Sequence, residues 1–280
     1  MPFTLSHPAA VLPLLRHPFS PAALVCGAMA PDVPYFLAAV RVPLSAQSWY
    51  EPFLNATFSH TLSGITVSGP FALALLMLYW LVHRPTAALL PARPLPANTA
   101  DRGGGGLRRT GWALLSVLIG ILTHLVWDSF THGDGYVVTH LSVLRSHITG
   151  DLTVARVVEH ISTAGGLAAV AVHLWRRVRR APAGDTGQAA LSATVRWGVV
   201  AALAVAALTG AVANTHTLQY YRGGPATTHP EGAEQVVEAV LSDWVTGGGT
   251  ALAWALILYA CVWRVHGALR PSEPHDLSAR

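Results

Sequence analysis

Five apolar runs, each long enough to cross a bilayer, constrain this chain more than any other feature. They cover approximately residues 61–82, 110–130, 157–175, 196–214 and 245–263, and about 20 apolar residues traverse the hydrocarbon core. A backbone immersed in lipid must satisfy its own polar groups, and a helix does so within each segment. The predicted fold is therefore all-α, a multi-pass transmembrane helical bundle of about five spans. Composition agrees: charged residues are 11% of the 280, against roughly 25% in ordinary soluble domains.

The first 60 residues need a different reading. "HPAAVLPLL" and "SPAALVCGAMAPD" are short apolar stretches separated by Arg16, His17 and Pro18. One continuous helix would put His7 and Asp32 about 37 Å apart. An N-terminal interfacial or re-entrant helical hairpin would bring them level, and the hairpin is the expectation; its rival is a sixth, true span. The opening residues lack the basic region and unbroken apolar core of a signal peptide. Val25 before Cys26 does not suit a lipoprotein signal, so the N-terminus is expected to be retained. Cys26 and Cys261 are the only cysteines, which supports neither a disulfide framework nor a thiolate metal site.

Arginines set the orientation. All 18 basic residues are arginine, and thirteen fall in residues 83–109, residues 176–196 and the C-terminal tail. With five alternating spans these regions share one side, which the positive-inside rule makes cytoplasmic. A pI near 9.4 could suggest nucleic acid, but the arginines flank apolar segments without interleaved aromatics, so no nucleic-acid partner is expected. Residues 1–60, 131–156 and 215–244 then lie outside. The chain divides into residues 1–175 (hairpin, three membrane helices and candidate site), an Arg-rich linker at 176–196, and residues 197–280 with two more helices and a tail.

That partition gathers particular side chains at one depth. His124, Asp128 and His132 are spaced four apart, so on a helix they share a face. His60 opens the first span, and Glu159 and His160 open the third. Ionisable groups at the end of a membrane span are expensive and mark function by default. The set contains only imidazoles and carboxylates, which suits zinc or another divalent ion. Of the adjacent pair, His160 is expected to face the site, with Glu159 behind it or acting as a general base. Asp32, between Pro31 and Pro34, reads equally as a helix N-cap or a ligand; His7 alone says little. "RGGGGLRR" lacks the GK[ST] ending of a phosphate loop, and no G-x-S-x-G elbow occurs.

"MPFTLSHPAAVLPL", "GAMAPDVPYF", "FSHTLSG", "LTHLVWDSFTHG" and "VVEHISTAGGL" together resemble an uncharacterised bacterial membrane-protein family, a domain of unknown function, over about residues 1–175. That family is in turn distantly similar to membrane-bound metal-dependent hydrolases and to the zinc-dependent phospholipase C and nuclease group. The resemblance implies metal ligands at His7, Asp32, His60, His124 and Asp128, with His132 and His160 as further members. In a hydrolase reading of the cluster, Asp32 or Glu159 is the expected proton acceptor. Two departures limit the implied cluster to one or two ions: no free N-terminal ligand is evident, and Glu159-His160 does not reproduce the second His-x-x-x-Glu element of those enzymes.

The expectation is therefore a membrane-embedded metal-dependent hydrolase in a bacterial inner membrane. Its site faces outward, towards a small-molecule or lipid-linked substrate such as a phosphoester, with membrane lipid as its surroundings. The alternatives are a structural or transport metal site without catalysis, and a polar helix-packing cluster without metal.

Overall fold

A computed structural model describes residues 3–40, 49–89, 106–150, 152–180, 191–216 and 233–269. It is all-helical apart from one small antiparallel pair of strands, β1 (His147–Thr149) and β2 (Leu152–Thr153). The glycine-rich part of the linker before Gly106, residues 181–190, the loop at 217–232 and the tail from residue 270 lie outside the described residues.

Each of the five expected spans is a long helix: α6 (Ile65–Ala87), α7 (Gly106–Thr131), α10 (Val154–Arg180), α11 (Ala193–Ala213) and α12 (Ala233–Leu269). The boundaries differ from the apolar runs for local reasons. Residues 61–64 form a turn instead of the first turn of α6, because Thr61 Oγ1 accepts the Gly64 amide at 3.0 Å. Residues 176–180, expected in the linker, continue α10.

A sixth stretch, Pro21–Ala38, also has the length and composition of a span. It is broken: α2 (Pro21–Met29) ends in a 3-10 turn at Ala30–Asp32, and α3 (Val33–Ala38) follows. The α2 part runs alongside α7 in the same direction. Ser20 N–H donates to Ser116 Oγ (3.0 Å), and eight residues on, Ala28 O accepts His124 Nδ1–H (2.7 Å). Before it, α1 (Pro8–Val11) leads to a turn where the Phe19 ring meets Trp112 edge-on at 5.7 Å. The chain thus passes from His7 to the level of Trp112 and returns to Asp32. Trp112 and His124 are separated by about 18 Å of helix at 1.5 Å per residue. This is a helical hairpin with both ends at one level of α7.

Glycine makes the close approach possible. A Cβ on Gly27 would strike Val117 O, and one on Gly120 would strike Leu24 O. Around this contact, Ala23, Cys26 and Ala30 of the hairpin pack with Ala72 and Leu76 of α6 and with Val117 and Ile121 of α7. The opening turn rests on α10, where Phe3 N–H donates to Thr163 Oγ1 (3.3 Å) and Ser6 leaves no room for a Cβ at Gly166.

Two compact units divide the chain, residues 1–79 with 93–186 and residues 80–92 with 187–280. The hairpin and all candidate site residues belong to the first. In the second, α11 and α12 pack through Gly210, Gly247 and Gly248, and Asn214 Nδ2 donates to Asp243 O at 2.8 Å. Arg264 there donates to the carbonyls of Trp80 and Leu81 at 3.1 Å each.

Candidate metal centre

Four separate pieces of chain meet at the open end of the hairpin. His7 precedes α1, Asp32 closes the 3-10 turn, His60 follows the short helix α5 (Ala56–Ser59), and His124 and Asp128 stand one turn apart on α7. His7, Asp32 and His124 are at most 1% exposed, and Asp128 is 5% exposed.

Local chemistry holds each group. Asp32 occupies the N-cap position of α3, yet its carboxylate makes no capping bond and turns to His60 Nε2 at 3.1 Å. The open choice between cap and site residue thus resolves to the cluster. Ser59 Oγ donates to Pro31 O at 2.7 Å, which fixes α5 against the Asp32 turn and places the next residue, His60. Asn55 caps α5 by accepting from Phe58 N–H.

The two central imidazoles are held in a defined tautomer. His124 Nδ1 faces Ala28 O at 2.7 Å, and His60 Nδ1 faces Ala56 O at 2.7 Å. A carbonyl only accepts, so each Nδ1 carries a proton and each ring turns its Nε2 inward, as a lone pair whenever the ring is neutral. Those two nitrogens are 3.2 Å apart. Asp128 Oδ2 lies 3.0 Å from His124 Nε2 and 3.3 Å from His60 Nε2, closing a triangle of three potential ligand atoms. Asp32 Oδ1 lies 3.1 Å from the first vertex, His60, and 3.6 Å from His124. Ligands about 2.1 Å from a zinc ion at tetrahedral angles stand roughly 3.4 Å from one another. The spacing therefore fits a cation between the acceptors.

The second Asp128 oxygen faces a different pair: Oδ1 lies 3.6 Å from His7 Nε2 and 3.5 Å from His132 Nδ1. Asp128 thus presents one oxygen to each of two nitrogen pairs, as a carboxylate bridging two ions would. The His7 ring stacks on His124, with centroids 3.7 Å apart. Burial holds the His7 pKa down to about 4, so this imidazole is neutral at pH 7 and can offer a lone pair.

Unsatisfied atoms concentrate here. Both His7 nitrogens, both His132 nitrogens, Asp32 Oδ2 and both Asp128 oxygens are buried without a hydrogen-bond partner. Buried carboxylates without compensation cost several kcal/mol. Among the described residues, the basic partners of Asp32 and Asp128 are all histidines. A divalent cation fits both the geometry and the charge.

The third span contributes differently from expectation. His160 is exposed, and its Nδ1 donates back to Arg156 O (2.7 Å). Glu159 is the buried member of the pair and binds Arg156 at 3.2 Å. The preference for His160 is therefore corrected: with about 100° between neighbours, α10 turns Glu159 inward. Neither is among the groups whose ligand atoms converge, which are His7, Asp32 and His124, and His60, His124 and Asp128. Sequence reading also missed the Ala28 carbonyl and Ser59, which have no signature, and Tyr35, whose ring lies 5.8 Å from His60.

An all-helical multi-pass membrane protein with a buried His/Asp cluster is the class that fold and site define. Residues 1–261 match the family model described as a domain of unknown function, DUF4184, and the chain belongs to that family. The match runs well past residue 175, so the last two helices are part of the family architecture. Comparisons with curated proteins and with solved structures return no match.

Proposed function

We propose that this protein is a membrane-embedded, metal-dependent hydrolase whose cluster binds one or two divalent ions, zinc in the first instance. The observation that carries the reading is the triangle of His60 Nε2, His124 Nε2 and Asp128 Oδ2, with sides of 3.0–3.3 Å. Both imidazoles have their other nitrogen committed to a carbonyl. With both rings neutral, three acceptors at that spacing call for a cation between them.

His60, His124 and Asp128 would hold one ion; His7 and Asp32, which converge with His124 in a second group, and His132, beside Asp128 Oδ1, would complete the cluster. A divalent ion there supplies Lewis-acid activation of water and stabilises developing negative charge. The chain's own groups do the rest. Asp32 Oδ2, buried and unpaired, is placed to accept a proton. His60 and His132, with side chains 14% and 20% exposed, form the accessible edge of an otherwise closed cluster. Glu159, tied to Arg156, orders the neighbouring turn of α10. The substrate proposed is a phosphoester or other lipid-linked small molecule.

The positive-inside rule supports an orientation. Arg108 and Arg109 begin α7, whereas His124 and Asp128 lie near its other end; α10 places Glu159 near its start and Arg176–Arg180 at its end. With those arginines cytoplasmic in a bacterial inner membrane, the cluster faces outward.

The direct test is hydrolysis of a chromogenic phosphodiester by the purified protein in detergent. Activity should disappear with a chelator, return with zinc, and be lost in Asp32→Asn. Turnover indifferent to chelation, or none at any metal loading, would contradict the hydrolase assignment.

A further inference from the structure

Beside the cluster, a groove of about 350 Å³ opens between α1 and α7, lined by Ala10, Ile119, Leu122, Thr123, Val126 and Trp127. That volume is within the range of small-ligand sites. Its two residues with polar atoms have them engaged elsewhere. Thr123 Oγ1 donates to Gly120 O (2.7 Å), and Trp127 Nε1 donates to Ser162 Oγ of α10 (3.3 Å). What remains facing the groove is hydrocarbon.

The groove adjoins the candidate metal centre. Thr123 and Trp127 immediately precede the ligands His124 and Asp128, Ala10 follows His7 by three residues, and the Trp127 indole meets the His7 ring edge-on at 5.8 Å. From Trp127 to Ile119 the groove follows α7 for about 12 Å at 1.5 Å per residue. It lies within a helix long and apolar enough to cross a membrane, and Leu122 and Val126 are exposed along it. An occupant must therefore be apolar, narrow and supplied from the bilayer.

We propose that this groove holds one acyl chain of an amphiphilic substrate whose polar headgroup reaches the His/Asp cluster. The headgroup part rests on the hydrolase reading above; the chain-binding part does not. Trp127 divides the two compartments, with the hydrocarbon on one side of the indole and the imidazoles on the other. Substrates would then be selected by carrying a chain, and the water-soluble headgroup alone would be a poor substitute.

Photo-crosslinking tests this in nanodiscs containing phosphatidylglycerol with a mid-chain diazirine. Labelling, located by mass spectrometry, should be at least several-fold higher at Ala10 and Leu122–Trp127 than at Leu208 and Leu258, which are exposed on α11 and α12. Ala10→Trp and, independently, Leu122→Trp should reduce labelling at the remaining groove positions while bound metal stays unchanged. Equal labelling along all exposed helices, or groove labelling insensitive to both substitutions, overturns the proposal even if the protein is fully loaded with metal. Specific groove labelling of a protein that binds no metal would retain the chain site and overturn the headgroup assignment.

Discussion

His60 and His124 each give their Nδ1 proton to a backbone carbonyl, and that pair of bonds decides what the cluster can do. It turns two Nε2 atoms towards two carboxylates in a place nearly closed to water. Removing a ligand on this triangle should therefore cost most of the metal, whereas His160→Ala, on the outer face of α10, should leave it in place. Measured zinc per chain distinguishes the two. His7 adds a dependence on pH in metal-free protein. Its pKa is about 4 when folded and near 6.5 when unfolded. Between those values the unfolded chain binds the extra proton, so this contribution to stability is complete above pH 6.5 and is lost as pH falls towards 4. In His7→Gln, thermal unfolding of chelator-treated protein should show a smaller loss over that window than the native chain.

At the level of elements, the site depends on how closely the hairpin approaches α7. Gly27 and Gly120 have no space for a Cβ, and their contact leaves Ala28 O against His124 Nδ1. Gly120→Ala should cost about 1–3 kcal/mol through overpacking and lower metal occupancy together with stability. Gly69→Ala, where a Cβ on α6 meets nothing within 4 Å, should be neutral or slightly stabilising, which thermal melts in detergent would show. Much of this layer was legible beforehand. The five apolar runs mark the five long helices, and the four-residue spacing places His124 and Asp128 on one face. The choice between Glu159 and His160 was not legible, because periodicity gives adjacent residues different faces without saying which face is buried. The glycine contact was also hidden, since small residues are common in membrane helices whether or not a neighbour needs the room.

For the whole molecule, the arginines and the cluster occupy opposite ends of α7 and α10, although sequence reading placed them only by counting spans. The hairpin matters to that count, because both its ends lie at the level of His124 on α7. A membrane-impermeant maleimide applied to intact cells, in a background with Cys261→Ser, should label Ser63→Cys and leave Arg177→Cys unlabelled until the cells are opened. The reverse pattern would invert the orientation without touching the site. His7 and Asp32 were legible at this scale: they are 25 residues apart in the chain, and the hairpin expected from the two short apolar stretches brings them to one centre.

The central claim is that the His/Asp cluster binds a divalent cation, and elemental analysis of the purified protein tests it most directly. Native protein prepared without chelator is predicted to contain one to two zinc equivalents per chain, with His124→Ala and Asp128→Ala falling to a small fraction of that while remaining folded and monodisperse. Native protein with no bound metal after incubation with zinc, or variants that retain the native content, would contradict it.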